Sequence, residues 1–198
     1  MAKRIPLSEE MKKAVSRLSP REKDKLLFRL LVKEPALVAK LEFELLDAGE
    51  TAEDRRLDLL KEIEGYLQAE ADHFYSPGYL LLAMRSISGD ITRHVKTTKD
   101  KYGEIQANLL LLNDGLRPNR QKIASFSAGK ARTLNDYVVK RTSKIVSLLH
   151  KQHPDIHLDF QDDLRELGEN IVAIPLMANL AKVAGIDLAA LLRGEVPA

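Results

Sequence analysis

The most regular feature of this 198-residue sequence is that apolar residues recur every three to four positions. Such spacing places them on one face of an α-helix, which turns once in about 3.6 residues. No stretch alternates apolar and polar residues convincingly, as a half-buried strand would. The sequence therefore predicts helices along most of the chain. The clearest series are Leu57, Leu60, Ile63, Leu67, Ala71 and Phe74; the run from Met84 to Leu116; and Ala131, Leu134, Val138, Ile145 and Leu149.

Capping residues and prolines place the helix boundaries. Ser19-Pro20-Arg21-Glu22 has an N-cap serine, a proline at the first helical position and a glutamate at the third, which together form a capping box. Two short segments, Ser88-Gly89-Asp90 and Ser127-Ala128-Gly129, can each end one helix and start another. The predicted helices span residues 8–18, 20–33, 35–47, 52–74, 77–115, 118–152, 156–173 and 175–193.

These elements predict an all-α protein. We expect an antiparallel helical bundle with long central helices, and the alternative is an α-solenoid of stacked helix pairs. We expect one domain over residues 1–198. Within it, a layer of short N-terminal helices at 8–48 can pack on a part with longer helices at 52–193.

Composition excludes some kinds of site and suggests a location. The sequence contains no cysteine, which rules out disulfides, zinc ribbons and thiol nucleophiles. Its longest unbroken apolar stretches fall far short of the roughly 20 residues that span a bilayer, and the N-terminal stretch MAKRIPLSEEMKK lacks an apolar signal region. We therefore expect a cytoplasmic protein with no membrane partner.

Charge is distributed in blocks, although the net charge of the chain is only +2. Residues 34–76 contain twelve acidic and four basic residues, a net charge of −8. Residues 117–151 contain nine basic residues against the single acid Asp136, a net charge of +8. Like charges repel when they lie one turn apart on a helix. We therefore expect the basic block to face a negatively charged partner.

Two explanations fit the basic block. Arg132, Lys140, Arg141 and Lys144 can bind a polyanion such as a nucleic acid, because phosphate contacts need cations on one face. They can instead face an acidic surface of the same chain, of a second subunit or of another protein, and the acidic block 34–76 is the first candidate. Because the chain as a whole is nearly neutral, we favour the second explanation.

Candidates for catalysis or metal binding are incomplete. Glu70 and His73 form half of the ligand set of a helical di-iron site. His150, His153 and His157 cluster near a predicted helix end and are the weak candidates for a metal site. Asp90 and His94 lie one helical turn apart, as a general base and its orienting carboxylate do.

The favoured function is therefore a non-enzymatic protein–protein interaction or scaffold role. The first alternative is nucleic-acid binding through segment 117–151, and the second is a helical-bundle metal-dependent enzyme. We predict no cofactor. Self-association is also expected, because the four consecutive apolar residues Tyr79 to Leu82 cannot all face one core and one of them can pack on another subunit.

Overall fold

The computed structural model describes residues 6–46 and 51–198. The chain divides into two units, Met1–Ala48 and Gly49–Ala198. Within the described residues the secondary structure is helical and contains no strand, so the prediction of an all-α protein is confirmed. The choice between bundle and solenoid, and the prediction of a single domain, stay predictions.

The N-terminal unit contains three helices, α1 (Glu9–Ser16), α2 (Pro20–Leu31) and α3 (Pro35–Leu45), and α2 packs against α3. The predicted capping box is present. The backbone N–H of Glu22 donates to Ser19 Oγ at 3.4 Å, and the Ser19 N–H donates to the Glu22 carboxylate at 2.9 Å. Two backbone N–H groups at the start of α2 that have no acceptor within the helix are thus hydrogen-bonded, which stabilises the helix start. The expected end of α3 near residue 47 lies outside the described residues.

The second unit begins with two long helices and is built around a third. Its elements are α4 (Ala52–Asp72), α5 (Pro77–Thr98), α6 (Lys101–Leu116), α7 (Arg120–Ser125), α8 (Ala128–Leu149), α9 (Pro154–His157), a 3-10 turn (Leu158–Phe160), α10 (Gln161–Val172), α11 (Pro175–Val183) and α12 (Leu188–Leu192).

Helix α6 is the centre of this unit, because it packs against α4, α5, α8 and α10. Apolar residues occur on most of its circumference, as expected for a helix that is surrounded by others. Its side chains at Ile105, Leu109, Leu112 and Leu116 are fully buried. Around it, α11 packs on α8, and α12 packs on α10.

Four predicted helices are interrupted, and the one predicted at 156–173 contains the 3-10 turn at Leu158–Phe160. The helix predicted at 77–115 ends at Thr98, where Lys99 takes a left-handed conformation with φ of 63°, and Asp100 starts α6 by accepting a hydrogen bond from the Gly103 N–H at 2.8 Å. Gly89 does not interrupt α5. The helix predicted at 118–152 does break, at Phe126-Ser127, and the one at 175–193 breaks at Gly185, whose φ is 79°.

None of the helices within residues 6–46 and 51–198 combines the length and the apolar character needed to cross a membrane.

Candidate functional site

An exposed aromatic pair marks the start of α5. Ser76 caps the helix by accepting a hydrogen bond from the Tyr79 N–H at 3.4 Å, and Pro77 occupies the first helical position. This tight start brings Tyr75 and Tyr79 into edge-to-face contact, with ring centroids 5.1 Å apart. The two side chains remain 75% and 59% exposed. Exposed aromatic pairs of this kind are typical of binding surfaces rather than of solvated helix faces.

The apolar run Tyr79 to Leu82 divides between core and surface. Leu80 and Leu81 are buried, whereas Tyr79 and Leu82 remain exposed, with Leu82 at 62%. The expectation that these four residues cannot all face one core is therefore confirmed. Tyr75, Tyr79 and Leu82 extend the apolar surface over the first turns of α5.

A groove of about 500 Å³ lies beside this aromatic pair, and we call it the aromatic groove. One wall is Phe126, which packs edge-on against Phe74 with ring centroids 6.3 Å apart. Lys122 Nζ lies 5.5 Å from the Phe74 ring and adds positive charge nearby. The groove thus combines aromatic walls with cationic groups. Its lining residues are Tyr75, Ser76, Pro77, Gly78, Phe126 and Lys130.

The first turn of α8 adds to the positive potential of the groove. Its N-cap, Ser127, makes no side-chain hydrogen bond to the following amides. An uncapped helix start exposes N–H groups and carries partial positive charge. With Lys130 in the lining, this end of the groove favours a negatively charged or acceptor-rich group.

Known proteins give no guide to what the groove binds. The chain matches no family model, no curated protein and no solved structure. Inference about the site therefore rests on its own chemistry. Sequence reasoning missed the groove, because its residues come from separate stretches around residues 75–78 and 126–130 that only the packing of α5 and α8 brings together.

The four predicted basic residues of α8 fall into two groups. Arg132 and Lys140 are exposed, and Arg132 makes only a long ion pair of 3.9 Å with Asp136. Arg141 instead points inward, donating to the buried Asn108 Oδ1 at 2.6 Å and to the Tyr137 hydroxyl.

Lys144 is the fourth of these residues, and it pairs with Glu104 of α6. Its Nζ lies 2.8 Å from the Glu104 carboxylate, which is buried. At the start of the basic segment, Arg117 bridges Asp114 and Glu166. Arg117 and Lys144 thus form ion pairs with acidic residues of the same chain. Their acidic partners lie on α6 and α10, whereas the first candidate from the sequence was segment 34–76.

The three candidate histidines make hydrogen bonds with the backbone. His150 Nε2 donates to the carbonyl oxygen of Pro197 at 2.8 Å, which ties down the C-terminus, and His157 Nε2 donates to the Leu149 carbonyl at 2.9 Å. His153 is the N-cap of α9, and its Nδ1 accepts from the Asp155 N–H. Among the residues that the structure describes, no group of three or more His, Cys, Asp or Glu side chains is placed to hold a metal ion.

Two further sequence candidates have different partners from those expected. Asp90 pairs with Arg93 rather than with His94. The His94 Nε2 lies 3.5 Å from Asp100, and Arg56 Nη1 lies 3.4 Å from the same carboxylate. The His94 and Asp100 side chains are almost fully buried, so this cluster braces the α5–α6 junction. His73 Nδ1 contacts the carbonyl oxygen of Ala69 within its own helix.

An acidic cleft of about 620 Å³ is a second concave feature. Burial raises the pKa of Asp114, and the nearby charges of Glu166 and Glu64 raise it further against the opposing effect of Arg117. Burial likewise raises the pKa of Asp163, together with the charges of Glu166, Asp162 and Asp114. Raised pKa values in a cleft also occur at catalytic carboxyls. Sequence reasoning missed this pair, because 49 positions separate the two aspartates.

Replacing Asp163 by Asn is expected to stabilise the second unit at neutral pH. The raised pKa means that the folded state holds a proton on this carboxyl more tightly than the unfolded chain, so ionisation destabilises the fold. The gain should be about 1 kcal/mol or less, because the site is partly solvated. It should shrink as the pH falls through the raised pKa, where the wild-type carboxyl is protonated too.

Urea denaturation of both proteins between neutral and acidic pH measures this difference. Glu169→Gln, on the exposed side of α10, is the matched control and should change stability little at any pH. A loss of stability in Asp163→Asn at neutral pH would contradict the expectation.

Proposed function

We propose that the protein is a non-enzymatic interaction protein that binds a segment of a partner protein in the aromatic groove. The observation that carries the proposal is the exposed pair Tyr75 and Tyr79 beside a groove walled by Phe126. Aromatic side chains supply large contact areas at low conformational cost, and they dominate the energetics of many interfaces.

The charge around the groove indicates the chemistry of the partner. Lys130 lines it, Lys122 lies over the neighbouring Phe74 ring, and Arg85 is exposed one turn beyond Leu82 on α5. A second copy that docked through the same surface would oppose these like charges. We therefore infer a partner segment that places apolar side chains next to Asp or Glu.

The N-terminal unit supports an interaction role independently. Among residues 6–46 no side chain is buried, although α1, α2 and α3 all carry apolar residues, which lie on one side in α1 and α2. Phe28 is 62% exposed, and Leu27 and Leu30 flank it on α2. Helices that leave this much apolar surface uncovered are typical of segments that dock on another protein.

Nucleic-acid binding is supported by fewer residues than the sequence suggests. Arg141 and Lys144 are engaged with Asn108 and Glu104, which leaves Arg132 and Lys140 as the exposed cations of the predicted set. Loss of half the phosphate contacts would weaken binding and flatten its salt dependence. The metal-dependent enzyme has less support, because no three His, Asp or Glu side chains among the described residues lie close enough together to form a ligand set.

The test measures binding of short labelled, end-blocked peptides to the full chain by fluorescence anisotropy. One peptide alternates Leu and Phe with Glu, and a second replaces every Glu by Lys. We expect the acidic peptide to bind more tightly. Tyr79→Ala should weaken its binding about tenfold, which corresponds to about 1.4 kcal/mol. Lys130→Glu should reduce the difference between the two peptides.

Tyr66→Ala is the matched control, because Tyr66 is an exposed tyrosine on α4 that neither lines the groove nor belongs to the Tyr75–Tyr79 pair. Equal binding of both peptides, or an equal effect of Tyr66→Ala, would overturn the proposal. Labelled single-stranded DNA and RNA form a further arm at low and moderate salt. Salt-sensitive binding that is lost in Arg132→Glu plus Lys140→Glu would establish the nucleic-acid alternative instead, and this pair leaves the Lys144–Glu104 contact intact.

A further inference from the structure

The N-terminal unit presents an apolar surface that its own packing leaves uncovered. No side chain among residues 6–46 is buried, although α1 and α2 each carry apolar residues on one side. Helices of 8 and 12 residues are marginal in water unless they pack against another surface, so we expect these sides to be covered in solution. The apolar side chains concerned, each at least 37% exposed, are Leu7, Met11, Val15, Leu26, Leu27 and Leu30.

Three leucines form this surface on α2. Leu30 is a neighbour of both Leu26 and Leu27, because residues three or four apart on a helix lie one turn from each other. We call Leu26, Leu27 and Leu30 the leucine face. Phe28 lies two positions from Leu26 and from Leu30, which places it on the far side of the helix.

Each of the two helices carries an acidic and a basic residue seven positions apart. The pairs are Glu10 with Arg17 for α1, and Glu22 with Arg29 for α2. Seven residues are close to two helical turns, so both members of a pair lie on the same flank of the apolar side. At the rise of an α-helix they are about 10 Å apart, which is too far for an ion pair within the helix.

These charges find few partners within the unit. Glu22 accepts two hydrogen bonds from Ser19 as part of the capping box, whereas Glu10, Arg17 and Arg29 form no ion pair among the described residues 6–46. Acids at helix starts and bases at helix ends also complement the helix dipole. The dipole does not require that both charges lie on one flank, so their spacing indicates a charged neighbour on that side.

We propose that the N-terminal unit forms an antiparallel two-fold dimer with a second copy of this chain through the apolar sides of α1 and α2. An antiparallel copy reverses the order of the charges along the shared flank. Glu22 of one copy therefore faces Arg29 of the other, and two-fold symmetry makes this contact twice. Glu10 and Arg17 repeat the arrangement on α1. The apolar sides supply most of the affinity, and the charge pairs determine the orientation.

Charge and size both fit a second copy. Residues 6–46 contain nine basic and seven acidic residues, a net charge of only +2, so two units repel each other little. This differs from the cationic surroundings of the aromatic groove. A stable interface buries about 800 Å² on each partner. Helix α2 has 12 residues and is about 18 Å long, so it is too short to bury this area alone and α1 must contribute.

The first experiment is sedimentation velocity of the full chain over a concentration series. We expect a monomer–dimer equilibrium in the micromolar range, because the interface is small. Leu27→Ala plus Leu30→Ala should raise the dissociation constant at least tenfold. Phe28→Ala is the matched control, since it removes a larger exposed side chain from the far side of α2 and should leave the dissociation constant unchanged.

Charge reversal tests the antiparallel orientation. An acid-reversed chain carries Glu10→Arg and Glu22→Arg, and a base-reversed chain carries Arg17→Glu and Arg29→Glu. Each chain alone places like charges opposite each other and should dimerise at least tenfold more weakly than wild type. An equal mixture restores opposite charges and should form a heterodimer. The capping glutamate stays absent from the acid-reversed chain in the mixture, so recovery reports the charge pairs rather than helix capping.

A third chain controls for net charge. Lys13→Glu plus Lys25→Glu gives the same net charge as the base-reversed chain, but these lysines lie two positions from Val15 and from Leu27, away from the apolar sides. This chain should dimerise like wild type. Its mixture with the acid-reversed chain should associate more weakly than the mixture of the two reversed chains.

Four results would overturn the proposal. A wild-type chain that stays monomeric at high micromolar concentration leaves the apolar sides to another protein. A dimer that Leu27→Ala plus Leu30→Ala does not weaken places the interface elsewhere. The other two are no heterodimer in the mixture of reversed chains, and equal association with the control chain. The inference does not rest on the aromatic groove, so Tyr79→Ala should leave dimerisation unchanged even where it weakens peptide binding.

Discussion

Replacing Leu112 by Ala is expected to lower the free energy of unfolding of the second unit by about 3 kcal/mol. The Leu112 side chain is 0% exposed in α6, the helix that packs against α4, α5, α8 and α10. Helices on several sides limit how far the structure can close around the lost atoms. The variant therefore loses the transfer free energy of those atoms and retains a cavity.

Urea denaturation followed by circular dichroism measures the effect. Phe28→Ala is the control, since it removes a larger side chain from an exposed position in the N-terminal unit and should change stability by about 0.5 kcal/mol or less. Equal losses in the two variants would mean that Phe28 is buried in solution, and this would contradict the exposed apolar surface described for α2.

Replacing Glu104 by Gln is expected to lower the free energy of unfolding by about 1–2 kcal/mol at neutral pH. Glu104 is buried and accepts hydrogen bonds from Lys144 Nζ at 2.8 Å and Lys101 Nζ at 3.0 Å. Gln keeps the shape of the side chain but removes its charge. The loss stays moderate because both lysines are partly exposed and can be hydrated.

The pH dependence of this loss has a defined sign. Burial acts to raise the pKa of Glu104, but the hydrogen bonds and charges of Lys144 and Lys101 outweigh it, so the pKa lies below its ordinary value. A lowered pKa stabilises the fold above the pKa of the unfolded chain, and the contribution disappears as the pH falls through the folded value. The difference between wild type and Glu104→Gln should therefore shrink in acid.

Denaturation curves at several pH values check this expectation, with Glu62→Gln on the exposed face of α4 as the control. A difference that grows in acid would show that the lysines do not govern the Glu104 carboxylate. The effect is opposite in direction to that of Asp163, whose ionisation destabilises the fold. Together the two variants distinguish a carboxylate whose charge stabilises the fold, Glu104, from one whose charge destabilises it, Asp163.

The internal ion pairs change the interpretation of the basic segment. Arg117, Arg141 and Lys144 each bind groups of the second unit, so part of the +8 charge of residues 117–151 stabilises the packing of α6, α8 and α10. Of the four residues predicted to bind a polyanion, Arg132 and Lys140 remain exposed. For this reason the proposed function relies on the aromatic groove rather than on the charge block.

The helical class and several helix starts followed from the sequence alone. Apolar spacing near 3.6 residues and the capping box at Ser19 depend on neighbours within a few positions, so local chemistry determines them. The exposure of part of the Tyr79 to Leu82 run also followed from sequence, because four consecutive residues on a helix point in different directions.

Tertiary structure alone decided the helix break at Lys99-Asp100 and the sites. Lys99 lacks the conformational freedom of glycine, so its left-handed conformation needs support from its surroundings. The next residue, Asp100, caps α6 and contacts Arg56, which lies 44 positions away. The aromatic groove and the raised pKa values of Asp114 and Asp163 likewise depend on residues that are distant in the chain. Spacing along a sequence carries no information on which helix faces pack together, and that packing determines which side chains share a cavity, a charge partner or a dry environment.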